Sequence, residues 1–246
     1  MELPVLIAFL AAVGIGAYVQ TVAGFALGLI VMGSVTIFHL VPVAFTAVVI
    51  SIISLFNTLL TLYRRHHHIE RRTAALACVG MLPAIVAGVL ILDALSTRSV
   101  QTLHTLLAVF ILVGGTLLML KPHPHARPSR SWVTLSMGAI AGLFGGLFST
   151  AGPPMVYYLY RQPYAIATVR ATLLTVFSIA TTARIAFITA QGAITMDMLR
   201  LSALSVPVVI VMTMLGRRFP PPLSDVNMRR FAFGLLVVLG LALLLT

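Results

Sequence analysis

The sequence has little charge and very little acid. Charged residues make up 9% of its 246 positions, against about a quarter in a soluble domain. The acidic residues are Glu2, Glu70, Asp93, Asp197 and Asp225. Each lies in a predicted loop or at a predicted helix end, so no carboxylate is expected at mid-membrane depth. A cation or proton pathway built on carboxylates is therefore disfavoured, although backbone carbonyls or histidines stay open as alternatives.

Cysteine and catalytic motifs are also scarce. Cys78 is the single cysteine, which excludes an internal disulfide and predicts a small buried side chain. The sequence contains no nucleotide-binding loop, no HExxH and no GxSxG pattern. The histidines 66–68 have no cysteine or acid placed to complete a metal site, so we interpret them as part of a solvated basic loop. We predict neither a cofactor, nor a metal, nor an enzymatic activity.

Long apolar runs make up most of the chain, which is 60% hydrophobic with a mean hydropathy of +1.08. Several runs reach the roughly 20 residues that a helix needs to cross a bilayer. The formal charge of +11 would favour nucleic acid as a partner of a soluble protein, but here the basic residues lie in loops, where they orient a membrane protein. The sequence therefore predicts an all-α polytopic membrane protein whose partner is the lipid bilayer and not nucleic acid. Homo-oligomerisation is left open.

One broken apolar segment occurs twice in the chain. Each copy starts as an apolar helix, breaks at a short turn of small and hydroxyl-bearing residues, and then resumes. The aligned pairs are Gly14 with Gly142, Thr21 with Ser149, Ala23 with Ala151 and Gly24 with Gly152. A broken backbone is tolerated in lipid only where protein buries it or where it lines a cavity. Matching interrupted segments in two halves of a chain therefore indicate the binding site of a transporter.

The rest of the chain follows the same plan in both halves. We predict a first transmembrane repeat over 1–120, a hydrophilic cytoplasmic linker over 121–131 and a second transmembrane repeat over 132–246. Each repeat is expected to hold one broken element and three membrane-spanning helices. Counting each broken element as one span, the eight predicted spans are 4–38 (broken), 42–63, 73–92, 100–120, 132–160 (broken), 164–190, 198–215 and 228–245.

The distribution of basic residues decides how the broken elements sit in the membrane. If each is a re-entrant hairpin that returns to the side it entered, the basic loops share one side, and only Arg98 and Arg200 fall on the other. If each crosses once, the basic residues divide almost evenly. Because basic loops stay cytoplasmic, we predict two hairpins, an inner-membrane location and both termini outside. The two repeats then have inverted topology, which suits alternating access.

Two arginines lie inside the sixth predicted span. Arg170 and Arg184 are 14 residues apart, close to four helical turns, so they share one face of the helix. A charge in lipid costs roughly 2.5–3.5 kcal/mol on insertion scales and usually faces a cavity. With no intramembrane acid as a partner, an anionic ligand is the expected counter-charge. The alternative is that both arginines extend to the membrane interfaces.

The two breaks add hydrogen-bond donors to this site. If the resumed helices begin at Gly24 and Gly152, their first N–H groups lack helical partners and attract an anion. Side chains in the breaks, and Asn57 on a polar face of the second span, add further donors. The alternatives are close helix packing by small residues and interhelical hydrogen bonds. The candidate substrate-binding residues are Gln20, Thr21, Ala23, Gly24, Asn57, Ser149, Thr150, Ala151, Gly152, Arg170 and Arg184.

The breaks and the segments that follow them resemble the TauE/SafE family of membrane transporters, also called the toluene sulfonate uptake permease family. In both halves a turn of small residues precedes a Pro-x-Ala start of the next span. The matching segments are 22–25 with 42–44, and 149–154 with 163–165. The resemblance implies transport of sulfur oxyanions or organic anions such as sulfite or sulfonates, with export and uptake both open.

The residues and the resemblance together predict a transporter of small anions, sulfur oxyanions or organosulfonates such as sulfite, that works by alternating access. A membrane-embedded enzyme or assembly factor is one alternative, and the lone cysteine and missing acid–base pairs argue against it. A metal or cation exporter is another, and the lack of intramembrane carboxylates argues against that.

Overall fold

A computed structural model describes residues 3–23, 25–38, 40–62, 68–119, 125–221 and 234–243, and this part of the chain contains helices and no strands. The helices are α1 (Leu3–Ala23), α2 (Leu27–Ile37), α3 (Val43–Leu62), α4 (Arg71–Arg98), α5 (Val100–Met119), α6 (Ser131–Phe148), α7 (Gly152–Tyr160), α8 (Ile166–Ala190), α9 (Met196–Arg218) and α10 (Gly234–Leu243). Buried apolar side chains from all of them join in one core.

Six of the described helices are long and apolar enough to cross a membrane. They are α1, α3, α4, α6, α8 and α9, with 18 to 28 residues each. At 1.5 Å per residue these helices are about 27–42 Å long, which matches or exceeds a hydrocarbon core of about 30 Å. The prediction of an all-α polytopic membrane protein is therefore confirmed.

Two boundaries differ from the predicted ones for local reasons. α2 begins at Leu27 and not at residue 24, because Ala26 has a left-handed backbone (φ 95°) that an α-helix does not contain. α4 continues through the predicted turn at 93–98, where the hydroxyls of Ser96 and Thr97 bond to the Asp93 carbonyl. Gly24 and the histidines 66 and 67 lie outside the described residues.

Each broken element is a helical hairpin. In the first, a Cβ on Gly16 would lie 3.4 Å from Val31 Cγ2. Fifteen residues of straight helix would separate the two positions by about 22 Å, so α2 must fold back along α1. In the second, the Thr134 hydroxyl near the start of α6 hydrogen-bonds the Tyr158 hydroxyl near the end of α7. The chain doubles back at both breaks, which a kinked helix does not do.

The two hairpins open at opposite ends of the molecule. Leu40, just after α2, shares a surface pocket with Ser96 at the C-terminal end of α4. Tyr164, just after α7, hydrogen-bonds Thr73 at the N-terminal end of α4 (2.9 Å). Thr73 and Ser96 are 23 residues apart on α4, so about 35 Å of helix separates the open end of one hairpin from that of the other.

The second spans of the two predicted repeats, α3 and α8, run antiparallel. Arg184, late in α8, donates to the carbonyl of Ala47 early in α3 (3.0 Å). At the other end, the Glu70 N–H, beyond α3, donates to the Thr172 hydroxyl early in α8 (3.0 Å). The start of each helix therefore lies beside the end of the other.

α4 belongs to the first predicted repeat, yet its closest packing partner is α6 of the second. The two helices run parallel, with Gly138 beside Ala77 and Gly146 beside Gly88. A Cβ on Gly146 would lie 2.8 Å from the Gly88 Cα, so this seam of small residues brings two backbones into contact. We call it the α4–α6 seam.

α9 and α1 pack together across the two predicted repeats in the same way as α4 and α6. α9 of the second predicted repeat runs parallel to α1 of the first, with Met212 beside Gly14 and Gly216 beside Thr21. The third span of each predicted repeat thus packs against the hairpin of the other repeat. Pro83 in α4 and Pro207 in α9 lie inside these helices without ending them.

Candidate substrate site

The tips of the two hairpins touch inside the helix bundle. A Cβ on Gly28, in the first turn of α2, would overlap the Thr150 hydroxyl and lie 3.2 Å from the Ser149 carbonyl oxygen. Position 28 therefore requires glycine, which lets one backbone approach another closely. The turns on both sides are tight: Ala26 and Ser149 are the described non-glycine residues with positive φ (95° and 56°).

A small cavity of about 50 Å³ lies between the hairpin tips and the middle portions of α3 and α8. Its lining mixes hydroxyl, amide and guanidinium groups with apolar side chains. The lining residues are Gln20, Phe25, Ala26, Gly28, Ser54, Thr58, Ile85, Gly145, Ser149, Thr150, Ala151, Gly152, Phe177, Ala180, Thr181 and Arg184. One water needs roughly 10–15 Å³ on this kind of measure, so the space suits a few waters or one small anion.

Arg184 supplies the charge of this cavity. The side chain is 2% exposed. Its Nε donates to the Gly146 carbonyl (3.0 Å), and its Nη1 donates to the Ala47 carbonyl (3.0 Å) and the Ser51 hydroxyl (2.7 Å). Nη2 has no hydrogen-bond partner among the described residues. Two N–H donors of a buried cation are thus left for a ligand.

No carboxylate forms an ion pair with Arg184 within the described part of the chain. The three acceptors that Arg184 reaches are neutral. The ion pair seen among the described residues joins Arg200 to Asp197 on the exposed surface (3.5 Å). A buried charge without an opposite charge in contact with it is costly, so the site favours an anion.

Ser51 connects α3 to both Arg184 and the second hairpin. Its hydroxyl accepts from Arg184 Nη1 and lies 2.7 Å from the Ser149 hydroxyl. It also lies 2.9 Å from the Ala47 carbonyl. Because a hydroxyl has one hydrogen, Ser51 can donate either to Ala47 or to Ser149, and Ser149 can donate to Ser51 or to a ligand in the cavity.

Gln20 closes the first break. Its Oε1 accepts a hydrogen bond from the Leu27 N–H, the first N–H of α2 (3.2 Å). Its Nε2 donates to the Thr58 hydroxyl of α3 (3.2 Å). One side chain thus bridges the end of α1, the start of α2 and α3, so one of the helix-start donors expected for the anion is already occupied.

The second helix start also offers fewer N–H groups than the sequence argument assumed. α7 begins at Gly152, as predicted, but Pro153 and Pro154 follow. Proline has no N–H. Ser149 and Thr150 of the second break line the cavity, but the Thr150 hydroxyl donates to the Phe148 carbonyl (3.2 Å). Of these two hydroxyls, that of Ser149 is therefore the one that can donate to a ligand.

The structure brings six of the candidate residues together around one cavity. They are Gln20, Ser149, Thr150, Ala151, Gly152 and Arg184. They come from both predicted repeats, which the sequence repeat suggested but could not place in space.

Thr21 and Asn57 lie together, but outside this cavity lining. The Asn57 amide donates to the hydroxyls of Thr213 (2.7 Å) and Thr21 (3.3 Å), which joins α3 to α9 and α1. The Thr21 hydroxyl donates to the Ala17 carbonyl (2.7 Å). This is the interhelical hydrogen bonding that the sequence left as an alternative for Asn57.

Two further candidates have other surroundings. Ala23 is buried in the apolar core. Arg170 is half-buried near the start of α8 and is not a lining residue of the cavity, about 21 Å of helix away from Arg184. Gly24 lies outside the described residues.

Sequence reasoning missed Gly28 and did not include Ser51 in the candidate set. Gly28 follows Gly24 by four residues, and this Gly-x-x-x-Gly spacing is a signal for close backbone approach. Ser51 lies on the polar face of α3 that also carries Ser54 and Thr58. Its importance comes from its contact with Arg184, which no spacing in the sequence reveals.

Comparison with known proteins adds two matches. The family model described as sulfite exporter TauE/SafE matches residues 8–243. A protein of Cupriavidus necator, described as a probable sulfite/organosulfonate exporter TauE, is 42% identical over 235 residues, which cover 96% of this chain and 92% of that protein. No solved structure matches the chain.

Proposed function

Since the chain belongs to the TauE/SafE family of membrane exporters, we propose that it transports a small sulfur-containing anion through the cavity between its two hairpin tips. The family match agrees with the resemblance found in the break motifs. It also sets aside the alternative of a membrane-embedded enzyme, because the family members are exporters.

The main support for this substrate site is the environment of Arg184. Its guanidinium is buried, is bonded to neutral acceptors only, and keeps Nη2 without a partner among the described residues. An anion in the cavity would supply both the missing charge and the missing acceptor. Hydrogen bonds that involve a charged group contribute about 1.5–3 kcal/mol each.

The chemistry of the lining suits a sulfur oxyanion. Such an ion accepts hydrogen bonds through several oxygens, and the cavity offers Nη2 of Arg184 and the Ser149 hydroxyl as donors. The Cupriavidus necator relative is described as a probable sulfite/organosulfonate exporter. A cavity of about 50 Å³ suits a bare oxyanion, while an organosulfonate would require the hairpin tips to move apart.

The proposed topology is an inverted repeat of 1–120 and 132–246, joined by the linker 121–131. Three contacts support it: α3 and α8 run antiparallel, the hairpins open at opposite ends of the molecule, and the third spans are exchanged between repeats. With the basic loops in the cytoplasm and both termini outside, each hairpin enters from its own side of the inner membrane.

In alternating access the cavity between the hairpin tips would open to one side of the membrane at a time. The α4–α6 seam places backbone against backbone, so we infer that α4 moves with the second hairpin and α9 with the first. Each moving body would therefore combine helices from both halves of the sequence. For a monoanion leaving the cell, the membrane potential supplies about 2.3 kcal/mol per 100 mV.

The test is sulfite flux and binding with purified protein in liposomes. Arg184→Met should weaken sulfite binding about 10- to 150-fold, the equivalent of one or more lost charged hydrogen bonds, and abolish flux. Arg184→Lys keeps the charge but loses the planar fork, so it should retain part of the binding. Arg200→Gln, at an exposed ion pair, is the matched control and should behave as wild type.

Folding must be monitored in the same samples, because Arg184 also bonds to Gly146 and Ala47. A folded Arg184→Met protein with wild-type sulfite affinity would exclude Arg184 from the substrate site. Movement of a divalent metal, and not of any anion, would favour the cation exporter. Flux that requires a second protein would favour an assembly factor.

A further inference from the structure

A second, larger concavity lies on the outer surface of the bundle between α5, α6 and α7. It has a volume of about 340 Å³, and no charged residue lines it. Val113 (53% exposed) and Ile140 (46% exposed) form opposite walls, with Phe144 and Pro153 deeper in the groove and Tyr157 on α7. We call this concavity the α5–α7 groove. It is separate from the substrate cavity, with which it shares no lining residue.

One end of the α5–α7 groove is positively charged. Arg161 Nη1 donates to the Tyr157 hydroxyl (3.0 Å), and the guanidinium carbon lies 5.4 Å from the centre of the tyrosine ring. The linker runs past the same point, because the His125 N–H donates to the Arg161 carbonyl (2.8 Å). Arg127 and Arg130 of that linker are exposed. Arg161 makes no ion pair with a carboxylate of the described residues.

We propose that the α5–α7 groove binds an anionic phospholipid, with an acyl chain in the groove and the phosphate at Arg161. The groove follows membrane-spanning helices, so its apolar walls lie at acyl-chain depth. Tyrosine and arginine at its end are the residues that mark the membrane interface. Basic pockets beside transmembrane helices are established binding sites for anionic headgroups. This proposal does not depend on the proposed substrate site.

Charge argues against a second copy of the chain as the occupant. In a twofold dimer the same surface patch meets itself, so the Arg161 ends of two grooves would approach each other with like charge. A phospholipid presents the opposite charge at the arginine and an apolar chain below it. The headgroup of the lipid would lie at Arg161 and its acyl chain along the apolar walls of the groove.

The bound lipid would support the second hairpin from behind. Pro153 forms part of the groove wall, and the neighbouring Gly152 lines the substrate cavity. Gly114 of α5 packs directly on Pro153, where an added Cβ would lie 2.6 Å from the proline Cβ. At the tip of the second hairpin, adjacent residues therefore face the bound lipid on one side and the cavity on the other. We expect an anionic lipid to increase both the thermal stability of the protein and its transport rate.

The test measures lipid binding to delipidated protein in detergent by native mass spectrometry and by thermal unfolding. Phosphatidylglycerol, with a net negative headgroup, should bind about fivefold more tightly than zwitterionic phosphatidylcholine with the same acyl chains, the factor expected for one basic residue facing an anionic lipid. It should also raise the thermal unfolding midpoint more. Glycerol phosphate, which has the headgroup charge without acyl chains, should give no shift.

Two variants separate headgroup from chain. Arg161→Gln should reduce the preference for phosphatidylglycerol to near one, with Arg218→Gln as the control on another helix end. Ile140→Trp should fill the groove and weaken binding of both lipids, with Val79→Trp (61% exposed, on α4) as the control.

An unchanged phosphatidylglycerol preference in Arg161→Gln would overturn the headgroup assignment. Unchanged lipid binding in Ile140→Trp would overturn the groove. Loss of a dimer in Ile140→Trp, with lipid binding intact, would assign the groove to a second copy of the chain.

Discussion

Gly28 and Thr150 lie so close together that a single added carbon at position 28 would overlap the threonine hydroxyl. The contact joins the tip of the first hairpin to the tip of the second. Both residues also line the proposed substrate cavity. Small changes at this contact should therefore affect transport and stability together.

Gly28→Ala should lower the free energy of unfolding by about 1–3 kcal/mol, because overpacking forces neighbouring groups out of their preferred positions. It should also reduce sulfite flux, since the hairpin tips can no longer approach each other. Thermal unfolding and flux in liposomes are the measurements.

The double variant Gly28→Ala with Thr150→Ser keeps the overlapping hydroxyl, whereas Gly28→Ala with Thr150→Ala removes it. Only the second should recover stability. Gly234→Ala is the control for a glycine with no atom within 4 Å of the added carbon. Wild-type flux and stability in Gly28→Ala alone would contradict the contact.

Ser51→Ala should weaken sulfite binding roughly fivefold, the equivalent of about 1 kcal/mol for one hydrogen bond. The hydroxyl holds Arg184 Nη1 on one side and Ser149 on the other. Ser136→Ala, which removes a hydroxyl bonded only within its own exposed helix face, should leave affinity unchanged. Isothermal titration of the purified variants with sulfite gives both constants, and equal affinities would remove Ser51 from the site.

Asn57→Leu should reduce stability by about 1–3 kcal/mol, because it leaves the buried hydroxyls of Thr21 and Thr213 without their amide partner. Affinity for sulfite in the folded fraction should not change, since Asn57 is not a lining residue of the cavity. Thermal unfolding with and without sulfite distinguishes the two effects. A large fall in affinity at unchanged stability would place Asn57 on the substrate path.

Sulfite should raise the thermal unfolding midpoint of the wild-type protein in proportion to the logarithm of its concentration. At a sulfite concentration one hundred times the dissociation constant, the free energy of unfolding should rise by about 2.7 kcal/mol. Organosulfonates with longer carbon chains should stabilise less, because the cavity of about 50 Å³ must open to admit them. Equal stabilisation by all chain lengths would show that the cavity does not select by size.

Much of this fold could be predicted from the sequence because the bilayer imposes it. Long apolar helices, the two breaks and the hairpin geometry follow from hydropathy, small-residue turns and the placement of arginines in loops. Arg184 could be selected because a charge inside an apolar helix stands out. The equally conspicuous Arg170 shows the limit of that reasoning, since helical spacing fixes the face of the helix but not how deeply each position is buried.

The contacts between distant segments could not be predicted in the same way. Gly138, Gly142 and Gly146 of α6 have the spacing of a close helix contact, but this spacing does not identify α4 as the helix they meet. The pairing of Gly28 with Thr150 depends on both hairpins at once. Asn57 illustrates the ambiguity: a polar residue in a spanning helix fits a cavity wall or an interhelical hydrogen bond equally well. Only the positions of Thr21 and Thr213 distinguish these two roles.

The α4–α6 seam also constrains how the chain is made. During synthesis α4 leaves the ribosome well before α6. The glycines of α4 therefore enter the membrane before the helix that packs against them has been made. The amino-terminal half is for that reason an incomplete folding unit, which must wait for its partner as a nascent chain. A chain that stopped after the linker would leave α4 in the membrane without its main packing partner α6.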